Sequence, residues 1–541
     1  MKFEIKNNLE KIILELLKGG FQNSFVLNSF KRKMAKKYGI TCPKNIALLK
    51  AYHKLLQEKR IKQNKGLEQA LKTRPVRSLS GIVNVSILTK PWPCKGKCLF
   101  CPSQKDLPKS YLKEEPACQR AILTKFSPKK QVITRLLSLE LTGHPIDKIE
   151  LRIIGGTWHY YPLAYRKWFI KECFRACNNF TKAKNSKSKV LNSKQIPNNK
   201  IQMLKREQKK NETAKARIIG ITIETRPDCI DEKAIQKMRE LGITRVELGV
   251  QNVFNDILQT NQRGHSVADI AKATLLLKEA GFKVSYQLMP NLPGSSLKKD
   301  LESFKSVFQD QRFRPDLIKI YPLALLKNTG VYQLYQKGKF KPYTEKQLLK
   351  LLIALKKETP LWVRIERVIR DIPKKYIVEG GAQISNLREL VQEGLKREGT
   401  KCKCIRCREV GTNYNPKDKL YLFKEEYLAS EGKEFFLSFE TKNREKLYAL
   451  LRLRLPLKNE GAIIREIHTY GQMAEVSSGL PTGAFAQHKG LGKKLMQEAE
   501  KIALDADFKK IAVIAGVGVR GYYRKLGYHL KDTYMLKYLS D

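Results

Sequence analysis

From about residue 80 to residue 390 the chain alternates short, nearly continuous apolar runs with stretches of helical period. The runs fall at 83–89, 148–154, 218–223, 245–248, 283–287 and 317–320. Apolar strands separated by helices predict a parallel sheet, and six such repeats suit a partial (βα) barrel. Functional residues in a barrel of this kind gather at the C-terminal strand ends. Ahead of it, Ile5, Leu9, Ile12, Ile13, Leu16 and Leu17 keep a helical period that stops at Gly19 and Gly20. Ser29 precedes a second periodic stretch and Pro43 opens a third, so residues 1–75 read as a small helical region. Residues 178–216 are rich in Asn, Lys, Ser and Gln. They hold too few apolar side chains to offset the entropy of ordering, and a disordered surface insert is expected there. Near the C-terminus a strand at 510–515 and a helix at 519–526, closed by Gly527, mark a second α/β unit. The expected boundaries are 1–75, 76–390, a cysteine-rich linker at 391–420, and 421–541.

At 541 residues the chain is too long for one core. Lys and Arg number 105 against 52 Asp and Glu, a formal net charge of +53, which points to a polyanionic partner without choosing DNA, RNA or a membrane surface. Residues 1–75 carry 18 Lys and Arg against 5 Asp and Glu. Their clusters Lys31, Arg32, Lys33 and Lys36, Lys37 could follow a phosphate backbone. The opening residues are charged and no apolar run reaches membrane-spanning length. A cytoplasmic location with no membrane partner is therefore expected, and either a monomer or a homodimer fits. Eleven cysteines in such a chain read as ligands or free thiols rather than disulfides.

Six of the cysteines form two tight groups. Cys94, Cys98 and Cys101, spaced C-x3-C-x2-C, follow the first strand. No paired C-x2-C or histidine follows at zinc spacing. Three thiolates so placed hold a 4Fe-4S cluster and leave one iron open to the amino and carboxylate groups of S-adenosylmethionine, which an electron donor then converts into a radical source. Gly155, Gly156 and Thr157 follow the second strand as a turn that admits the methionyl amino group. Glu224 and Arg226 follow the third strand, which makes them further cofactor candidates. Lys319 and Tyr321, at the end of the sixth, could position a base or a thioester. The second group, Cys402, Cys404 and Cys407, supplies three close thiols, and His468 is the candidate to complete a tetrahedral structural zinc.

Gln487, His488, Lys489, Gly490, Leu491 and Gly492 form a Q-x-x-G-x-G turn ahead of a helix. It resembles the turn with which acetyltransferases of the GNAT type place amides and a positive helix end beside the pyrophosphate of acetyl-CoA. Residues 520–528 resemble the tyrosine-bearing helix that closes such a site. Tyr523 stands where these domains keep a general acid near the thioester, yet Tyr522 and Tyr523 cannot both face it.

With Tyr111, Glu115 and Arg120, then 225–228, 249–251, 263–265, 319–322, 370–373 and 408–411, these motifs occur in an order that resembles the catalytic subunit of Elongator in its single-chain bacterial or archaeal form. Ser103 and Gln104 depart from it, standing where many relatives have a glycine pair. The resemblance makes Gln251 a further cofactor candidate. The resemblance implies an α/β chain: a partial (βα) radical-SAM barrel plus a C-terminal GNAT domain, behind a basic helical region that binds tRNA. It implies that a 5′-deoxyadenosyl radical takes hydrogen from the methyl of acetyl-CoA, that the carbon adds to carbon 5 of the wobble uridine, and that thioester hydrolysis leaves a carboxymethyl group. A protein-lysine acetyltransferase would use only the C-terminal unit, and a radical enzyme transferring methyl or sulfur to RNA only the barrel. An RNA-binding module without turnover would leave the cysteine triad unexplained.

Overall fold

The computed structural model describes residues 2–18, 24–72, 78, 80–181, 200–384, 386–411, 413–457, 461–471 and 490–539. Strands β1 (Ile82–Leu88), β2 (Lys148–Ile154), β3 (Arg217–Thr225), β4 (Arg245–Gln251), β5 (Lys283–Leu288), β6 (Leu317–Ile320) and β7 (Arg364–Arg367) pair in chain order. Every neighbouring pair is parallel. The expected partial barrel is present with a seventh strand. Only four residues long, β7 reads Arg-Ile-Glu-Arg, so no apolar run announces it. Val85, Ile87, Ile149, Leu151, Ile223 and Val246 pack with the surrounding helices in the main core.

The N-terminal region folds as helices Lys2–Lys18, Ser24–Lys37, Asn45–Gln57 and Lys65–Leu71 around Ile12, Leu16, Leu48, Leu49 and Tyr52. Its second helix begins before the Ser29 marker. Arg32, Lys33 and Lys36 are exposed, whereas Lys31 is buried and donates to Asn45 at 2.8 Å. Among the described residues no helix is long and apolar enough to cross a membrane.

The expected disordered insert needs correction. Its residues 182–199 lie outside the described residues, but Lys200–Asn211 is a helix. Leu204 enters the barrel core. Asn211 donates to Asn178 at 2.7 Å and to the Ala216 carbonyl at 3.1 Å. Glu212 accepts from Arg520 at 3.2 Å and Arg524 at 2.7 Å. Largely polar anchoring escapes a reading based on apolar periodicity.

The C-terminal domain is a sheet of β8 (Tyr421–Ala429), β9 (Gly432–Glu440), β10 (Leu447–Pro456), β11 (Ala462–Thr469), β12 (Lys510–Val513), β13 (His529–Lys531) and β14 (Tyr534–Tyr538). Its spatial order is β13-β14-β12-β11-β10-β9-β8. Helix Leu491–Asp505 covers one face through Leu495, Met496 and Ala499. The other face docks beneath the barrel, at the N-terminal strand ends. Approach there is close enough that a Cβ added to Gly516 would lie 1.8 Å from the Ile219 carbonyl, and one added to Gly281 would lie 2.7 Å from Ile463 Cγ2.

Charge fixes this interface. Asp316, just before β6, accepts from Arg465 at 2.8 Å, and Arg452 lies 3.7 Å away. Glu434 accepts from Arg465 at 2.7 Å and Arg454 at 3.1 Å, with Lys278 of the barrel 3.4 Å away. The side chains of Asp316, Glu434, Lys278, Arg454 and Arg465 are fully buried. Burial alone would raise both carboxyl pKa values, but the surrounding cations reverse this and hold them below their ordinary range.

Removing one member strands the others without water. Asp316→Asn is expected to destabilise the protein by about 3–5 kcal/mol. The reporter is Trp362, whose ring stacks on Tyr427 across the interface at 4.4 Å. An unchanged urea midpoint in Trp362 fluorescence would show that the network does not hold the domains together.

Candidate active site

At the C-terminal end of β1 the chain turns into the cysteine loop. Lys109 donates to the Gly96 carbonyl at 3.0 Å, Leu99 donates its backbone N–H to Asn261 at 3.2 Å, and Val331 donates to the Leu99 carbonyl at 3.3 Å. A Cβ on Gly96 would lie 3.5 Å from the Cys94 sulfur and 3.6 Å from that of Cys98. The tightest approach is to Arg226 Nη1 at 3.1 Å, so the loop packs closely on that guanidinium. Three cysteine sulfurs from one pinned loop, all lining one cavity, are the donor set a cluster needs, and among the described residues no fourth cysteine lines it. Burial and the neighbouring sulfurs push the Cys101 thiol up to about 11, so metal binding must displace its proton.

The thiols open into a cavity of about 310 Å³ at the C-terminal strand ends. Gly155, Gly156, Thr157, Glu224, Arg226 and Gln251, all expected as cofactor residues, line it together with Tyr321. Gly155 has φ +135°, and a Cβ there would lie 1.9 Å from Thr89 Oγ1, so this turn is possible only without a side chain. Gln251, at φ +72°, holds a buried Oε1 that accepts from no described group, as a donor on a bound nucleoside would require. Tyr111 donates to Glu224 at 2.6 Å, fixing that carboxylate at the rim. Arg120, Arg367 and Arg370 line the same cavity.

Lys319 does not line this cavity. It lies below, in the barrel lumen, paired with Glu247 and 3.9 Å from Glu366. Arg152 reaches Glu247 at 2.8 Å and Glu224 at 3.3 Å, and Arg245 reaches Glu366 at 2.9 Å. These cations hold the Glu247 carboxyl far below its ordinary range against the cost of burial. Lys319 is thus engaged with Glu247 in the lumen beneath the cavity and is not among its lining residues, although the sequence reading places it there beside Tyr321. A sequence sign of the lumen exists: single charges in otherwise apolar strands, Arg152 in β2, Glu247 in β4 and Lys319 in β6, mark inward positions.

In the C-terminal domain Gln487, His488 and Lys489 lie outside the described residues. Gly490, at φ +72°, caps helix Leu491–Asp505. A Cβ on Gly492 would lie 3.1 Å from the Tyr522 hydroxyl. Tyr522 therefore faces the helix start, while Tyr523 is 5% exposed and packs in the core against Tyr528. Of the two adjacent tyrosines, the structure turns Tyr522 toward the helix start and the expected Tyr523 into the core. Ladder pairing of β11 with β12 runs only from Ala462 to Ile464. An irregularity at Arg465 follows, and β11 continues along β10 alone. Beyond that parting Lys283 of the barrel meets Glu466 at 3.3 Å.

Cys402, Cys404 and Cys407 bring their sulfurs within 4.8 Å of one another. Ile405 donates to the Val363 carbonyl at 2.9 Å and Gln392 approaches the Cys407 sulfur at 3.2 Å, which ties the group to the start of β7. His468 does not join them. It sits on β11 with its ring 4.3 Å from Tyr470, and burial lowers its pKa to about 4. Soft donors at this separation fit zinc, with no fourth protein ligand among the described residues.

Residues 195–306 match the Radical SAM superfamily, residues 315–397 its C-terminal domain, and residues 416–528 the Acetyltransferase (GNAT) family. The chain is 41% identical to the tRNA uridine(34) acetyltransferase of Methanocaldococcus infernus over 98% of both chains. It is 36% identical to Elongator complex protein 3 of Homo sapiens, over 98% of this chain and 96% of that one. The solved structure of the Methanocaldococcus infernus Elp3 with an N-terminal deletion superposes with a TM-score of 0.71 at 40% identity, covering 85% of this chain and 100% of that one.

The position of Tyr522 yields a comparison of two variants. Losing a hydroxyl beside a charged ligand costs about 1.5–3 kcal/mol, so Tyr522→Phe should weaken CoA binding at least tenfold by calorimetry, whereas Tyr523→Phe should leave it nearly unchanged. The reverse order would return the site to Tyr523.

Proposed function

Because the chain belongs to the tRNA uridine(34) acetyltransferase family, which includes Elongator complex protein 3, we infer that it modifies the wobble uridine of tRNA by radical chemistry on acetyl-CoA. The observation that carries this reading is the fixed union of two sites. A cysteine-lined cavity and an acetyl-CoA turn belong to domains locked together by the buried pairs of Asp316 and Glu434. Neither an acetyltransferase alone nor a barrel enzyme alone needs that union.

Cys94, Cys98 and Cys101 would hold a 4Fe-4S cluster, and Gly155, Gly156, Thr157, Glu224 and Gln251 would seat S-adenosylmethionine. Bound together and given an electron by an external donor, the two supply a 5′-deoxyadenosyl radical. The protein's own contribution is placement and exclusion of water. Glu224 is oriented by Tyr111 and Arg152, Glu247 is held by Lys319, and Tyr321 closes the floor above them. At the other end the amides of the Gly490–Gly492 turn and the Tyr522 hydroxyl meet the CoA end of the thioester. Where β11 parts from β12, Glu466 of the C-terminal sheet is tied to Lys283 of the barrel at 3.3 Å, which fixes this end of the domain against the barrel. The product of this reading is 5-carboxymethyluridine. The tRNA backbone follows the exposed Arg32, Lys33 and Lys36 of the basic helices.

Acetyl-CoA carrying deuterium on its methyl group tests the joint use of both sites. Turnover with tRNA and a reduced cluster should place deuterium in 5′-deoxyadenosine. Deuterium-free 5′-deoxyadenosine alongside a modified uridine would overturn the reading.

We also assign structural zinc to Cys402, Cys404 and Cys407, since metal binding adds directly to folding free energy where three thiolates already converge. Elemental analysis of natively folded protein should find about one zinc per chain and none in Cys404→Ser. Metal-free wild-type protein of full stability would refute this assignment.

A further inference from the structure

Two guanidiniums approach the Cys98 sulfur, and they are not equivalent. Arg226 points Nη1 at it from 3.8 Å, but its Nε donates to Asp228 at 2.9 Å. Its charge is largely answered by that carboxylate. Arg263 donates Nη1 to the same sulfur at 3.0 Å. Its Nη2 donates to the Gly249 carbonyl, its Nε is buried with no acceptor, and it is 5% exposed. Among the described residues no carboxylate pairs with it. The nearby His265 stays neutral and adds no second positive charge, since burial and the two arginines hold its pKa at about 2. The strand is shaped for this contact: a Cβ on Gly249 would lie 3.3 Å from Arg263 Nη2. The Phe100 ring, 5.7 Å from the guanidinium carbon, covers it from the loop side. A full positive charge, shielded from water, is thus aimed at a single cluster ligand.

We propose that Arg263 sets the reduction potential of the cluster through an N–H···S bond to Cys98. The proposal rests on the reading of Cys94, Cys98 and Cys101 as cluster ligands. Three thiolates make the cluster site anionic, so an added electron is opposed by charge already present. A donor bond and an unpaired cation at one sulfur stabilise the reduced state more than the oxidised one, because negative charge on sulfur grows with reduction. In the step itself one electron passes from a low-potential ferredoxin or flavodoxin, which is oxidised by one electron, and the cluster falls from 2+ to 1+. The guanidinium keeps all its protons, and no protein bond forms or breaks. Arg263 acts through Cys98, which is a positioning role.

The test uses full-length protein reconstituted anaerobically, with iron content and an electron-paramagnetic-resonance redox titration as readouts in the absence of S-adenosylmethionine. Arg263→Met should keep its iron and lose at least tenfold in the reduction equilibrium constant, which is a fall of 59 mV for one electron. Arg263→Lys retains charge without the planar donor fork and should fall between. Arg226→Met should shift less than Arg263→Met, because Asp228 already offsets Arg226. An intact cluster with an unmoved potential in Arg263→Met would overturn the proposal. So would loss of iron from both Arg263 variants, which would make the residue a builder of the loop. Wild-type protein that takes up no cluster would fail the cysteine reading as well, and the iron measurement separates that outcome.

Discussion

Two carboxylates shut away from water, Asp316 and Glu434, decide how the halves of this molecule meet. A carboxylate in such a place is tolerated only if cations surround it at hydrogen-bond distance. Here Arg452, Arg454 and Arg465 from the C-terminal sheet and Lys278 from the barrel do so. An apolar interface would permit sliding. This one does not, since a shift of one strand, about 4.8 Å, would separate the buried charges from their partners. The contact of Gly516 with Ile219 and that of Gly281 with Ile463 then become possible, because backbone can approach backbone only where the register is set.

The same chemistry repeats inside the barrel. Arg152, Arg245, Glu247, Lys319 and Glu366 fill the lumen with charges that answer one another. Truncating any of them leaves a buried charge unpaired, so loss of activity on changing Lys319 would speak for the cavity floor before it spoke for chemistry. This is why a charged residue at the end of a barrel strand reads as catalytic in sequence and turns out to be structural in place: β6 is only four residues long and every one of them is buried.

Much of the fold was legible because it rests on apolar continuity. Strands β2 and β6 fall where their runs do, and the cluster loop, the Gly155 turn and Arg226 fall at the expected strand ends. What escaped has other causes. Strand β7 carries three charged residues in four, since its partners are the lumen and the docked domain. The helix Lys200–Asn211 is held by Asn211 and Glu212 more than by apolar burial. His468 lies on strand β11, apart from the loop and short helix that carry the cysteines, and no spacing rule reports a tertiary distance. Tyr522 and Tyr523 are adjacent, so their choice of face depended on Gly492 and Tyr528, which only the folded chain brings near. Arg263 gave no sign of its role in sequence, because a contact between an arginine and a sulfur across 165 positions has no local pattern.

The distribution of charge around the cavity follows from what the cavity must accept. Arg152 is answered by Glu224 and Glu247, Arg226 by Asp228, and Arg370 by Glu115 at 2.7 Å. Pairing of this kind fixes geometry while removing net charge from the walls, which suits a site that must hold a cationic sulfonium beside an anionic cluster. Among the described residues two guanidiniums are exempt. Arg263 faces the thiolate, and Arg120 meets only the carbonyls of Pro116 at 3.0 Å and Ser86 at 3.3 Å. The first lies at the cluster and the second on the cavity wall beside the helix Pro116–Leu123. Positive charge is therefore left without a carboxylate at two places among the described residues, beside the Cys98 sulfur and on the cavity wall. A lining basic throughout would repel the sulfonium, so the protein pairs most of these arginines and leaves two without a carboxylate.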